Sequence, residues 1–211
     1  GIDAWLVEEH SIPFAVIEIR FKGGTSLDAE GKRGAINLMT GLIEEGAGEM
    51  DARAFAEARE SLAASFSFNA YDDALAISAQ FLTENRDQAV ALLKASIMDP
   101  RFDQDAIDRV KDQIYSGLKS DATDPDTIAS ETFYKMAWGD HPYGSSSDGT
   151  EDSVFALTRD DILDAKARVM GKDRLFVSAV GDITADELGA LLDDLLGDLP
   201  DAPAPLRTPP Q

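Results

Sequence analysis

Two stretches near the start of the chain predict strands, and in the second of them apolar and polar residues alternate, which is the pattern of a strand that buries one face. The first stretch spans residues 5–9, and a turn over residues 10–13 leads into the second, residues 14–22. The apolar positions of the second stretch are Ala15, Ile17, Ile19 and Phe21. The pattern therefore predicts a paired-strand opening that ends at Gly23-Gly24.

Apolar residues then recur every three or four positions, the spacing that places them on one face of a helix. Residues 34–45 predict a first helix, with an apolar face of Ile36, Leu38, Met39, Leu42 and Ile43. The glycines of residues 46–48 end this helix, and Asp51 can cap a second one that runs to about residue 64. Two more alternating stretches predict strands over residues 65–70 and 75–82.

The rest of the chain is predicted to be mostly helical. Helices are expected over residues 87–98, 104–119, 125–138 and 158–170 and from Thr184 onwards, with one buried strand over residues 174–181. Asp124-Pro125 combines a capping residue with proline at the first helical position, and residues 184–187 form a capping box. Because the strands come mostly in adjacent pairs, we predict an α+β domain whose helices pack on a largely antiparallel sheet.

Composition narrows the classes of function. The 211 residues carry 19 Lys and Arg against 40 Asp and Glu, a net charge of −21, which argues against binding to nucleic acid or anionic lipid. Cysteine is absent, which excludes disulfides, thiol catalysis and zinc–thiolate sites, and the longest apolar runs are too short to cross a bilayer. The only imidazoles belong to His10 and His141, which are interpreted as polar loop residues. Composition thus favours a soluble acidic domain over an enzyme.

Three segments resemble known sites in composition only. Residues 24–32 end in Gly-Lys, but six residues separate the glycines and Arg33 follows, whereas a phosphate loop needs four residues and then Ser or Thr. The serines of residues 145–147 lack the Gly-x-Ser-x-Gly elbow of a hydrolase, and residues 144–149 are interpreted as a flexible loop. The acidic residues within 121–131 lack the spacing of an EF-hand and are interpreted as a solvated helix start.

A more specific signal is the order of several short motifs. They are residues 21–28 (FKGGTSLD), 34–41 (GAINLMTG), 68–70 (FNA), 137–144 (AWGDHPYG) and 180–182 (VGD). In this order and spacing the chain resembles, from Trp5 to Pro200, the pitrilysin/insulinase superfamily of mitochondrial-processing-peptidase-like metallopeptidases. The resemblance implies the LuxS/mitochondrial-processing-peptidase-like metallohydrolase fold, with residues 1–200 as the first of two paired half-domains. Residues 201–211 are then expected to be a Pro-rich linker to a second half-domain outside this sequence.

Active members of that superfamily carry an inverted zinc motif, H-x-x-E-H, with two imidazoles one helical turn apart and a glutamate as general base. The resemblance places these three positions on Asn37, Thr40 and Gly41, and a later glutamate ligand near Gln113. None of the four residues can replace the family's ligands or its base. We therefore expect no catalytic zinc, no other cofactor and no peptidase activity of the chain alone.

Members of the superfamily also bind an extended peptide at an edge strand. The resemblance places that strand at residues 65–71, with Phe68, Asn69 and Ala70 as candidate contact residues. Strand addition relies on main-chain hydrogen bonds and therefore survives the loss of the metal. Asn69 can equally be an ordinary strand-end residue.

The resemblance predicts an inactive bacterial half-domain that helps to enclose peptide substrate. Its expected partner is a zinc-bearing pitrilysin-like subunit, in a heterodimer, or further copies of the same chain, in a homo-oligomer. A periplasmic or secreted location, with the signal peptide removed, is expected, and a cytoplasmic one is left open. One alternative is an assembly or peptide-binding module with no peptidase role. Another is an enzyme with relocated chemistry around Asp72-Asp73 or residues 121–126, which no residue spacing supports over solvated faces.

Overall fold

Strands and helices follow one another in small groups along the computed structural model, which describes residues 2–206. The strands are β1 (Ala4–Glu8), β2 (Phe14–Lys22), β3 (Gly46–Ala47), β4 (Met50–Asp51), β5 (Ser65–Ala70), β6 (Ala74–Leu82) and β7 (Leu175–Gly181). The helices are α1 (Ala35–Leu42), α2 (Ala52–Ser61), α3 (Arg86–Met98), α4 (Gln104–Asp121), α5 (Pro125–Trp138), α6 (Glu151–Ala156), α7 (Arg159–Val169) and α8 (Ala185–Leu196). None of these helices is both long enough and apolar enough to span a bilayer.

Five strands form one mixed sheet in the order β1-β7-β2-β6-β5, and β3 and β4 form a separate hairpin. β1 runs parallel to β7, whereas the pairs β7–β2, β2–β6 and β6–β5 are antiparallel. The predicted α+β class with a largely antiparallel sheet is confirmed. The predicted pairing of the first two strands is wrong, because β7 lies between β1 and β2. Strand pairing depends on which faces meet in the folded chain, and closeness in sequence does not report this.

The hydrophobic core lies between one face of the sheet and the helices. Ile17 of β2, Ile77 of β6 and Val177 of β7 are almost completely buried against the helices. Burial of each such side chain contributes about 1.5–3 kcal/mol relative to exposure. The prediction of a buried strand at residues 174–181 holds for one face of β7 and is wrong for the other, where Phe176 is 36% and Val180 45% exposed.

Three helices begin at the predicted caps. Asp51 caps α2 and Asp124 caps α5, each by accepting a backbone N–H three residues later at 2.8 Å, and residues 184–187 form the capping box of α8. The β3–β4 hairpin and α6 have no counterpart in the sequence pattern. Strands of two residues and a helix of six are too short to show a hydrophobic period.

The first part of the predicted linker contacts the domain near the start of β7. The Ala202 N–H donates to the Asp173 carboxylate at 2.9 Å, and the Arg174 guanidinium donates to the carbonyl oxygen of Ala204. Residues 207–211 lie outside the described residues. The linker role of residues 201–211 therefore stays a prediction.

A polar contact joins the turn after β1 to the residue after β7. His10 Nδ1 lies 2.7 Å from one carboxylate oxygen of Asp182, and the other oxygen accepts a hydrogen bond from the Thr83 hydroxyl at 2.7 Å. The hydrogen bond with Asp182 raises the pKa of His10 above its ordinary value of 6.5. His10 is thus a loop residue whose protonated form has a fixed partner.

We expect protonated His10 to stabilise the fold. Because its folded pKa is raised, this contribution is fully present below about pH 6.5 and is lost as the pH rises through the folded pKa. An NMR titration should give the His10 ring a lower pKa in Asp182→Asn than in the unchanged chain. Asp186→Asn, which removes an exposed charge from α8, is the control, and an unaltered His10 pKa in Asp182→Asn would contradict the prediction.

Candidate functional site

Helix α1 begins at a buried carboxylate. Its N-cap residue is Gly34, which has a φ of 96° and no side chain to cap the helix. The two carboxylate oxygens of Asp28 accept hydrogen bonds from the Gly34 and Ile36 N–H groups, each at 2.9 Å. The Arg33 guanidinium lies 3.3 Å from this carboxylate, whose side chain is only 4% exposed. Burial raises the pKa of Asp28, and the two N–H groups and Arg33 act in the opposite direction.

Arg33 also binds the loop of residues 142–149. Its guanidinium donates to the carbonyl and hydroxyl oxygens of Ser145, both at 3.1 Å. The loop backbone comes close to the start of α1, because a Cβ atom on Gly34 would lie 2.6 Å from the Asp148 carbonyl oxygen. The segment interpreted from the sequence as a flexible loop is therefore anchored to α1.

Two of the residues predicted to stand at the zinc-motif positions donate hydrogen bonds within the protein. Asn37 Nδ2 donates to Asp148 Oδ1 at 2.9 Å. The Thr40 hydroxyl is buried and donates to the carbonyl oxygen of Asn37 at 2.7 Å. Neither a neutral amide nor a hydroxyl is among the imidazole, thiolate and carboxylate ligands that bind zinc in proteins.

The other two positions lie where α1 packs against α4. A Cβ atom on Gly41 would lie 3.1 Å from Val110 Cγ1, so a larger residue there requires Val110 to shift slightly. Gln113 follows Val110 by about one turn of α4 and is exposed. Among residues 2–206, no group of three or more His, Cys, Asp or Glu side chains could hold a metal. The residues at the four motif positions do not fit the zinc that active members carry.

β5 lies at an edge of the sheet and pairs only with β6 among the described strands. The Tyr71 N–H donates to the Ala74 carbonyl oxygen at 2.8 Å, and hydrogen-bonded pairs alternate along an antiparallel ladder. The N–H groups of Phe68 and Ala70 therefore face the free edge, whereas that of Asn69 faces β6. The Asn69 side chain is exposed, and α1 lies against this strand.

A cleft of about 640 Å³ opens between α5, the 142–149 loop and the turn after β5. Its lining combines carboxylates with aromatic rings, from Asp72, Asp121, Asp126, Glu131, Tyr134, Trp138 and Tyr143. Both kinds of group attract cationic side chains such as Lys and Arg. Because Asp72 lies two residues after the end of β5, the cleft adjoins the end of the free edge.

The sequence gives only a weak indication of this cleft. Its acidic residues look like the solvated start of a helix, which most such runs are. The four-residue spacing of Tyr134 and Trp138 places both rings on one side of α5, and this pair of aromatics is the signal that could have indicated the cleft.

An aromatic cluster holds the start of the 142–149 loop. The Tyr143 ring centroid lies 4.3 Å from that of His141 and 5.4 Å from that of Trp138. The Tyr143 hydroxyl donates to Asp73, and this hydrogen bond raises the pKa of Tyr143 to about 12. His141 Nε2 is buried without a hydrogen-bond partner among the described residues. His141, interpreted from the sequence as a polar loop residue, is therefore packed between aromatic rings.

The sequence is similar to one family of peptidases over most of its length. Residues 5–151 match the profile of the family described as Insulinase (Peptidase family M16). The protein named "Non-peptidase homolog YmxG" from Helicobacter pylori (strain ATCC 700392 / 26695) is 30% identical over 197 residues, which are 93% of this chain and 46% of that protein.

Two solved structures share the fold. A peptidase M16 inactive domain from Pseudomonas fluorescens is 27% identical, with a TM-score of 0.93, and the match covers 100% of this chain and 52% of that one. The periplasmic protease PqqL from Escherichia coli is 16% identical, with a TM-score of 0.82 over 98% of this chain and 24% of that one. The predicted peptidase-like fold is confirmed, and the chain spans about half the length of the Helicobacter and Pseudomonas proteins.

We expect the chain to bind no stoichiometric zinc, because its four motif positions offer amides, a hydroxyl and a glycine. Elemental analysis after incubation with zinc and dialysis should find far less than one zinc per chain, and a chelator should leave the Tm unchanged. A zinc-bearing member of the family, treated in the same way, is the control. Stoichiometric zinc, or a Tm that falls on chelation, would contradict this expectation.

Asp28→Ala should destabilise the fold by about 3 kcal/mol, because it removes the cap of α1, leaves the buried N–H groups of Gly34 and Ile36 without that acceptor and removes the nearer carboxylate partner of Arg33. Urea unfolding measures this free energy. Glu30→Ala, an exposed acidic residue of the same loop, should stay within about 0.5 kcal/mol of the unchanged chain. Equal stability of the two variants would show that the pair is not a structural anchor.

Proposed function

The chain belongs to the insulinase family of peptidases, M16, and we propose that it is a non-catalytic domain that pairs with a zinc-bearing member and helps to enclose or bind extended peptides. One observation carries the proposal. The helix α1, which has no side chain able to hold zinc at its motif positions, lies against a strand with a free edge. The chain thus keeps a strand edge that can bind a peptide and lacks the zinc ligands that are needed to cleave the peptide.

The names of two relatives support the non-catalytic part of the proposal. The Helicobacter protein is called a non-peptidase homolog, and the Pseudomonas structure is called an inactive domain. The side chains agree with these names, since Asn37 and Thr40 are a neutral amide and a hydroxyl that donate hydrogen bonds within the protein. The Thr40 hydroxyl cannot act as the general base in place of the family's glutamate, because a neutral alcohol does not take up a proton near neutral pH.

The peptide-binding part rests on β5 and on the cleft beside it. Phe68 and Ala70 present their N–H groups to the free edge, where an extended peptide can add as a further strand. Such a peptide gains its affinity from main-chain hydrogen bonds and its selectivity from side-chain pockets. The acidic and aromatic cleft at the end of β5 favours a peptide that carries Lys or Arg there.

The partnership rests on the length of the chain and on its charge. The chain spans about half of the relatives that it matches, which supports residues 1–200 as one half-domain of a larger enclosure. A net charge of −21 favours association with a basic partner surface. A periplasmic location is part of the proposal, and the description of the related PqqL as periplasmic supports it.

Ala70→Pro tests peptide addition at β5. Proline removes the N–H that faces the free edge and leaves the hydrogen bonds to β6 in place. We expect the variant to bind a fluorescein-labelled extended peptide, rich in Lys and Val, about tenfold more weakly in fluorescence anisotropy. Asn69→Ala is the matched control, because it changes the exposed side chain of the neighbouring residue and keeps the main chain.

The same variants test the partnership. Mixed with a zinc-bearing M16 protein from the same genome, the unchanged chain should form a complex and increase cleavage of the labelled peptide. Ala70→Pro should form the same complex and increase cleavage less. A chain that forms no complex and leaves cleavage unchanged is an assembly module with no peptidase role, and the proposal is then wrong.

A further inference from the structure

We propose that Asn37, at the first position of the lost zinc motif, is the latch that keeps the 142–149 loop closed against α1. The contact is one hydrogen bond, from Asn37 Nδ2 to Asp148 Oδ1, at 2.9 Å. Asn37, which cannot replace a histidine as a zinc ligand, thus has a structural role at the same position. This role concerns the free chain and does not depend on peptide binding.

The two halves of the loop are held by different groups. Arg33 donates to Ser145, and Tyr143 donates to Asp73, so the first half has several attachments. In the second half, residues 146–149, the bond from Asn37 is the only side-chain hydrogen bond to the rest of the described chain. Loss of this bond should therefore release the second half and leave the first half in place.

The latch forms only when the loop backbone lies against the start of α1. A Cβ atom on Gly149, which has a φ of 84°, would lie 2.4 Å from the Arg33 carbonyl oxygen. A Cβ atom on Gly34 would lie 2.6 Å from the Asp148 carbonyl oxygen. The two glycines permit this close approach, and the hydrogen bond from Asn37 holds it.

The loop separates two clefts. Ser145 lines the cleft of about 640 Å³ beside α5 and also a second cleft of about 450 Å³, which is bordered by Asp28 and Arg33. Ser146 and Ser147, in the latched half, line the first cleft. The bond between Asn37 and Asp148 therefore determines the shape of the wall between the clefts.

A double variant in which the amide and the carboxylate exchange places distinguishes the loss of the Asn37–Asp148 hydrogen bond from a general effect on α1. Asn37→Asp places two carboxylates where the hydrogen bond is formed, so they repel each other. Position 37 is the third residue of α1, where an acidic side chain suits the positive end of the helix dipole. Adding Asp148→Asn restores one donor and one acceptor with their places exchanged.

Hydrogen exchange of the full chain, measured by mass spectrometry, tests the latch. In Asn37→Asp, the amides of residues 146–149 should exchange at least about tenfold faster, whereas those of α1 and the sheet keep their rates. The double variant Asn37→Asp with Asp148→Asn should return to within about twofold of the unchanged chain. Asn69→Asp, the same change on exposed β5, is the matched control and should leave the loop unaffected.

Unchanged exchange at residues 146–149 in Asn37→Asp, or no recovery in the double variant, overturns the proposal. Should Asn37→Asp fail to fold, Asn37→Ala replaces it, because it removes the hydrogen bond without adding charge. The same acceleration at residues 146–149 is expected there, and its absence likewise overturns the latch.

Discussion

The pair of the buried Asp28 and the half-buried Arg33 is the constraint on which the candidate site depends. Asp28 caps a helix whose own N-cap residue is glycine, and Arg33 joins the same point to the 142–149 loop. A buried carboxylate is tolerated only when its oxygens are hydrogen-bonded and its charge is paired. Both conditions are met at the start of α1, where Gly34, Ile36 and Arg33 contact the Asp28 carboxylate. Arg33 joins this point to Ser145 in the first half of the loop, and Asn37 contacts Asp148 in the second half.

Helix α1 keeps a buried apolar face although none of its predicted motif positions carries a zinc ligand. Leu38, Met39 and Leu42 are fully buried in the core, whereas Asn37 and Gly41 lie towards the loop and α4. The packing of the helix depends on the first set, and metal binding in active relatives depends on the residue types at the second. Because the two sets share no residue, the ligands can be replaced while the apolar face, and with it the fold, is kept.

Local features of the fold were predictable because they depend on short stretches of chain. The alternation over residues 14–22 predicts β2 with the observed bounds, and Asp124 caps α5 as expected. The pairing of β1 was not predictable, because its partner β7 lies more than 100 residues away in sequence. The exposed face of β7 was not predictable either, because a mostly apolar run does not show whether one face or both faces are covered. Periodicity reports that a strand has an apolar face, and it says nothing of which strand lies beside it.

The sequence by itself determined what the candidate site lacks. With no cysteine, and histidine only at positions 10 and 141, no imidazole or thiolate ligand can stand on α1. Only the tertiary structure decided what the remaining residues do: Asn37 bonds to Asp148, 111 residues away, and the N–H groups of Phe68 and Ala70 face an open edge. Side-chain chemistry is a property of each residue, whereas its partners are set by packing between distant segments, which no local pattern encodes.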